Sequence, residues 1–384
     1  MRISSRSDVN PFIVMDVMEA ARQREQSGRS VIHMEVGQPA TAAPKQALAY
    51  LARTMAHEAL GYTVALGRPD LRARISRLYK DWYQLDIAPE RIVVTSGSSA
   101  GFLLAFTTLF DAGDKVAIGE PGYPSYRNIL KALSLHPVGL QTTAKDRYQP
   151  TAAQVAAHPG LAGLLVASPA NPTGTMLSKE QLAALIDTCQ TRNIAFISDE
   201  IYHGIGYEAR AVSALEISGD IVVINSFSKY FSMTGWRVGW MVLPESHIRQ
   251  VERLTQNMFI CAPHASQITA LAAMECDTEL QANLQVYRTN RALMLSGLPK
   301  AGFMRIAPPD GAFYIYADVS TLTDDSRDLA REILDGAGVA VTPGSDFDPS
   351  RGHQGLRFSY AGSTTDIVEG LKRLQTFMKT RQPR

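Results

Sequence analysis

Ile221-Val-Val-Ile224 runs straight into Asn225-Ser-Phe-Ser-Lys229-Tyr-Phe-Ser-Met-Thr234-Gly-Trp-Arg237-Val-Gly239, and the reading of this stretch decides the rest of the chain. The apolar β-branched residues at its start read as a buried strand. The abrupt change to small hydroxyl residues, one lysine, one arginine and two glycines reads as chemistry placed at a strand's end. A lysine amine becomes a carbonyl-trapping nucleophile when burial or nearby positive charge neutralises it, and Arg237 lies just downstream of Lys229. A solvated loop lysine is the ordinary alternative. Hydroxyls, an arginine and glycines converging after an apolar strand suit a phosphate-bearing cofactor better.

Outward from this run, short β-branched stretches alternate with longer helical ones. Strand candidates are 91–95, 115–118, 136–140, 163–167, 194–198, 221–225 and 238–243, with helical candidates 100–110, 124–134 and 179–192 between several of them. The alternation predicts an α/β layer, a mostly parallel seven-stranded sheet between helices, with ligands at the carboxyl ends of the strands. Upstream, 10–22 has helical spacing, 31–36 reads as a short strand leading into Gly37-Gln38-Pro39, and 44–58 and 71–82 read as helices. Downstream, 251–298 reads as helical throughout, while 302–384 mixes strands (313–317, 339–342, 355–360) with helices (326–334, 364–380). The expected organisation is an N-terminal segment, 1–40, joining a smaller α+β domain, 291–384, beside a large domain, 41–290.

A chain of 384 residues exceeds what one core usually supports, which agrees with two domains sharing a cleft. Apolar residues make up 45% and charged ones 20%, an ordinary balance for an ordered globular enzyme. With a net charge of +1 and no basic block, the chain lacks the electrostatic footprint of a nucleic-acid binder. Cys189, Cys261 and Cys276 are odd in number and without metal-ligand spacing, so they read as reduced structural thiols and no metal is expected. No signal-like N-terminus and no membrane-length apolar run is visible; the expected location is the cytoplasm, away from membranes.

Several further stretches place chemistry near predicted strand ends. Ser96-Gly97-Ser98-Ser99-Ala100-Gly101 follows one strand and opens a helix, a ready anion site, although an unliganded N-cap explains it as well. In Pro121-Gly122-Tyr123-Pro124-Ser125-Tyr126, Tyr123 offers a face for stacking or simply ends a proline-rich turn. Asn171, within Ser168-Pro-Ala-Asn171-Pro-Thr-Gly174, has a restrained backbone and presents its amide rigidly. Asp199, in Ser198-Asp199-Glu200-Ile201-Tyr202, is either a helix cap or a buried charge meant for a cation. Arg357 lies in an apolar strand and needs an anion, which an internal salt bridge could supply, and its planar fork suits a carboxylate. Gly37 permits close backbone approach, and Tyr62, in a glycine-rich loop, is exposed unless something covers it.

The run around Lys229 resembles SxSKxFxMTGWRxG, the cofactor-lysine signature of pyridoxal-phosphate-dependent class I/II aminotransferases of the aspartate aminotransferase superfamily. The match is close to complete. Further signatures from Val36-Gly37-Gln38-Pro39 to Leu356-Arg357-Phe358 extend the resemblance over nearly the whole chain. It implies fold type I and pyridoxal 5'-phosphate held covalently by Lys229, the same lysine moving the α-proton. It implies a phosphate bound by Ser98, Ser99, Ser226 and Arg237, Tyr123 against the ring, Asp199 at the ring nitrogen, and Asn171 and Tyr202 at the phenolic oxygen. Arg357 would grip the substrate carboxylate, with Asn171 and the Gly37 backbone beside it. Tyr62 would reach the phosphate of a neighbouring subunit, which makes the protein a homodimer with shared sites. Where relatives often carry tryptophan or phenylalanine, this chain has Tyr123, a mild departure.

The reaction implied is ping-pong transfer of an amino group between an α-amino acid and a 2-keto acid. The alternatives are β-elimination or other carbanion chemistry on the same fold, and a non-catalytic ligand-sensing module. A nucleotide-binding enzyme is disfavoured because GxGxxG and GK[ST] are both absent. Some aspartate aminotransferases of the similar bacterial-type subgroup carry GGKQ in the phosphate turn, whose lysine helps to bind the substrate's second carboxylate. Here the stretch is Gly97-Ser98-Ser99-Ala100, with Ser99 in the lysine's place, which predicts that neutral donors compete well with aspartate.

Overall fold

The computed structural model describes residues 1–381. In it the two strands flanking the Lys229 run are antiparallel neighbours, with Val223 opposite Val242 and Ser226 opposite Gly239. Thirteen strands are present among the described residues: β1 (Ile32–His33), β2 (Ile92–Thr95), β3 (Lys115–Glu120), β4 (His136–Gln141), β5 (Leu161–Ala167), β6 (Ala195–Asp199), β7 (Val222–Ser226), β8 (Gly239–Val242), β9 (Arg305–Ala307), β10 (Tyr314–Asp318), β11 (Val339–Ala340), β12 (Thr342–Pro343) and β13 (Gly355–Ser359). Seven form one sheet in the order β2-β8-β7-β6-β5-β3-β4. All seven strands expected from the sequence are there. Only β8 runs against the others in this sheet, pairing antiparallel with β2 and β7.

Both faces of this sheet are covered, as the unbroken apolar runs require. In β7 the side chains of Val222 and Ile224 enter one hydrophobic cluster and that of Val223 the other, the alternation expected of a strand. The covering helices carry local start signals. Ser178 caps Lys179–Thr191 by accepting from Gln181 N at 3.2 Å, while Gln181 Oε1 accepts from Ser178 N at 2.9 Å. The helix Pro69–Tyr83 has proline in its first turn.

A second, four-stranded sheet, β12-β13-β10-β9, is antiparallel throughout. The helices Ser326–Ala337 and Thr364–Thr380 contribute buried faces beside it. The N-terminal helix Ile13–Gln26 is tied to this C-terminal part: Asp346 accepts from Ile13 N at 3.0 Å and from Val14 N at 3.3 Å, satisfying first-turn donors. Residues 31–36, read as one strand, keep ladder geometry only over β1, which pairs parallel with β11.

The tract read as helical from 251 to 298 is three helices, Glu245–Met258, His264–Ala273 and Asp277–Lys300. Pro263 stands as the N-cap of the middle one, where its missing N–H and fixed φ end what precedes it. Residue 290, the expected domain boundary, falls inside the continuous helix Asp277–Lys300. Strand β9 and the short helix Ala152–Ala157 have no counterpart in the sequence reading. Among the described residues, no helix is long and apolar enough to cross a membrane.

Candidate active site

The strand order brings the ends of β2, β3, β5, β6 and β7 to one edge, and the conspicuous polar residues follow those ends. Lys229 projects from the loop after β7, and its Nζ donates to the Gly37 carbonyl at 2.8 Å. The amine also stands 5.8 Å from the centre of the Tyr202 ring. Burial, then the charges of Arg357 and Arg237, push its pKa down to about 8, with Asp199 opposing. Its side chain keeps partial access to solvent.

Asp199 ends β6 and is 2% exposed. One carboxylate oxygen accepts from Ile201 N at 3.1 Å, the local turn bond of a capping aspartate, and the other accepts from the Tyr126 hydroxyl. Burial pushes its pKa up to about 7 in spite of those bonds. Asp199 is thus a desolvated carboxyl that a neighbouring cation would return to the charged form.

Arg357, on β13, is 2% exposed and forms no ion pair among the described residues. Its guanidinium donates to Asn171 Oδ1 at 2.9 Å, to Thr342 Oγ1 at 3.2 Å and to the Glu35 carbonyl. Two rings flank it, Tyr314 at 4.6 Å and Phe347 at 4.8 Å from Cζ. Its Nε is buried without a partner. The internal salt bridge entertained from sequence is therefore not formed, and a donor is left over for an anion. Tyr202 and Tyr314 meet hydroxyl to hydroxyl at 2.8 Å. A Cβ at Gly37 would stand 2.3 Å from the Tyr314 hydroxyl oxygen, so this close approach needs glycine.

Around the helix Gly97–Leu109 the structure forms an open cradle. Ser96, its N-cap, makes no side-chain capping bond, so the first-turn amides keep their donors. Gly97 has φ +78°, and a Cβ there would lie 2.5 Å from Arg237 Nη2: the guanidinium lies directly on the turn. Arg237 donates to the Thr234 carbonyl at 3.0 Å and is otherwise exposed. Ser98 is half-buried and Ser99 exposed beside it. Ser226 is buried, its hydroxyl donating to Ser228 Oγ at 2.8 Å and accepting from Ser228 N at 3.1 Å. Tyr123 packs edge-on to Phe12 and Tyr126, with ring centres 5.9 Å and 5.3 Å away. Tyr62 is 82% exposed.

Three residues of this arrangement were missed from sequence. Tyr126 stands three places after Tyr123 in the same quoted motif, a helical spacing that could have flagged it. Tyr314 reads only as an aromatic in a strand, and Thr342 only as a strand threonine, because their roles arise from pairing across the second sheet. No group of three or more histidine, cysteine, aspartate or glutamate side chains able to hold a metal occurs among the described residues. The cysteines are free, and burial pushes Cys189 up to about 12.

Residues 29–374 match the family described as aminotransferase class I and II, and the chain belongs to it. The valine–pyruvate aminotransferase of Mycobacterium tuberculosis is 45% identical over 382 residues, covering 98% of each chain. A crystal structure of an aminotransferase from the same organism superposes with a TM-score of 0.97 at 45% identity, covering 99% of this chain and 100% of that one. The aspartate aminotransferase of Thermus thermophilus with maleate superposes with a TM-score of 0.92 at 28% identity, covering 98% and 100%. The protein is an aminotransferase with the fold type I architecture.

Proposed function

We infer that this aminotransferase works with pyridoxal 5'-phosphate carried on Lys229, and that neutral α-amino acids are its donors. The observation that carries the reading is the Lys229 amine in the loop after β7, donating to the Gly37 carbonyl at 2.8 Å, where burial and the charges of Arg357 and Arg237 push its pKa down. The residues fit the group in charge and in space: the uncapped turn under Arg237 suits a phosphate dianion, and Asp199 lacks only a cation. Bound pyridoxal phosphate supplies an aldehyde carbon that takes up the amino group and a pyridine ring that accepts electrons released at the substrate α-carbon.

Everything else falls to the chain. Arg237, the amides and hydroxyls of Ser98 and Ser99, and Ser226 would hold the phosphate, joined by the partner subunit of a homodimer through the exposed Tyr62. Tyr123 covers the ring. Asp199 would keep a proton on the ring nitrogen, since a buried carboxylate favours a neighbouring cation. Asn171 gives Oδ1 to Arg357, leaving Nδ2 to donate to the phenolic oxygen beside Tyr202. Arg357 binds the α-carboxylate through the donor that is left over, its buried Nε–H, beside the Gly37 backbone. Lys229 Nζ then moves the α-proton. A keto acid leaves, and a second keto acid is aminated in a ping-pong cycle.

Ser99 in place of a lysine supports neutral donors, as does similarity to a valine–pyruvate aminotransferase. The reading keeps the organisation expected from sequence, 1–40 with 291–384 as a small domain against 41–290, and a cytoplasmic enzyme. The test is borohydride reduction of the purified enzyme loaded with pyridoxal phosphate, followed by peptide mapping. The label is expected on Lys229, and Lys229→Ala is expected to lose the label and nearly all turnover. A label on any other lysine refutes the assignment. Turnover with amino donor but no keto-acid acceptor would favour elimination.

A further inference from the structure

His203 is outside the groups assigned above to cofactor and substrate, yet it ties together two loops that carry them. The ring is 2% exposed. Its Nε2 lies 2.9 Å from the Ser168 carbonyl oxygen and its Nδ1 2.6 Å from the Tyr83 hydroxyl. Burial pushes its pKa down to about 4, which leaves the imidazole neutral near pH 7. A carbonyl can only accept, so Nε2 carries the proton and Nδ1 accepts from Tyr83. One tautomer satisfies both contacts. Glu200 Oε2 is 3.4 Å from Nδ1, but the Glu200 carboxyl already accepts from Ser198, Ser213 and Ala214 N and does not depend on the ring as a counter-ion.

On one side, Ser168 precedes Asn171 in a turn closed by Ala170 N to Thr175 O at 3.0 Å, and its hydroxyl accepts from Leu177 N at 3.0 Å. On the other, His203 follows Tyr202 directly. The loop behind it packs closely: Gly204 has φ +90°, and a Cβ there would lie 2.7 Å from the Tyr230 ring and 2.9 Å from that of Trp82. Tyr230 is in turn the neighbour of Lys229.

We propose that His203 is a positioning residue whose Nε2–H bond to the Ser168 carbonyl sets Asn171 against Tyr202 and Asp199, and through Asn171 orients the Arg357 fork. This rests on the cofactor reading above. Two polar substitutions separate the role from packing. His203→Gln places an amide N–H near where Nε2 stands, whereas the amide of His203→Asn ends near Nδ1 and falls short of Ser168.

Two quantities are measured on each purified full-length variant: the dissociation constant of pyridoxal phosphate by equilibrium dialysis, and that of isovalerate, an unreactive carboxylate, by calorimetry. The pH midpoint of the bound cofactor's absorbance is followed alongside. His203→Asn is expected to weaken both affinities about tenfold and to move the midpoint, and His203→Gln to stay within about twofold of the parent on all three. Variants that behave alike, whether both native-like, both impaired or both insoluble, overturn the proposal. If the parent takes up no pyridoxal phosphate, the cofactor reading fails by itself. The isovalerate measurement, which needs only Arg357 and Asn171, still decides the role of His203.

Discussion

Arg357 and Arg237 both depress the Lys229 amine, but one is 2% exposed in the second sheet among preset acceptors and two rings, while the other lies on an open turn with a single carbonyl contact. The buried fork is oriented before any ligand arrives, and its planar geometry is what selects a carboxylate. The exposed one supplies charge beside unpaired helix amides, and a phosphate can be gripped there from several directions. On the proposed reading, preorganisation marks the substrate end of the site, and adaptable charge marks the other.

The largest effect follows from breaking the buried fork. Arg357→Lys keeps the charge but loses the planar set of donors, and kcat/KM for amino donors is expected to fall about 100-fold, at the upper end of the cost of losing hydrogen bonds to a charged group. The affinity for pyridoxal phosphate should hardly change. Arg237→Gln should do the opposite and less: about tenfold weaker cofactor binding, discounted for solvent screening, with KM for donors nearly constant once cofactor saturates. Equilibrium dialysis and steady-state kinetics on the same preparations check both. If each variant weakened cofactor and donor equally, the two arginines would not be functionally distinct.

The same contrast explains what was legible beforehand. The seven-stranded sheet could be read because its strands are buried on both faces, as unbroken apolar runs separated by helical spacing. Residues at its strand ends, from Ser98 to Arg237, sit in local motifs, and the structure gathers them at one edge. The proposed substrate end depends on pairings more than a hundred residues apart: Arg357 with the Glu35 carbonyl, and Tyr202 with Tyr314. No local pattern encodes such contacts. The Asp199 motif could be read while its Tyr126 partner was overlooked, although both are within motifs already quoted. That residue 290 lies within one long helix was not legible, because periodicity reports amphipathic faces and is blind to which sheet they cover.

Ser99 gives a way to sharpen the comparison at the open end. A cation introduced beside the turn by Ser99→Lys should raise kcat/KM for aspartate relative to valine about tenfold, through a charge-assisted contact to the second carboxylate. Valine turnover itself should change little. An unaltered ratio over a donor panel would mean that the side-chain carboxylate does not approach this turn, and the argument for neutral donors from Ser99 would fall.

The smallest effect concerns protons. The neutral Lys229 amine is the form that captures an aldehyde, and with its pKa down to about 8 roughly a tenth of it is neutral at pH 7 and about half at pH 8. The rate at which the cofactor-free protein takes up pyridoxal phosphate should therefore rise about fivefold from pH 7 to 8, level off above about pH 9, and fall tenfold per unit well below the midpoint. Since positive neighbours disfavour the ammonium, removing either one raises the midpoint. Arg357→Gln should raise it more than Arg237→Gln, because the buried charge acts on the amine with less solvent between them. Stopped-flow absorbance over a pH series measures all three midpoints. A parent midpoint near that of an ordinary lysine would contradict the depressed amine, and equal shifts in the two variants would erase the difference between the buried and the open arginine.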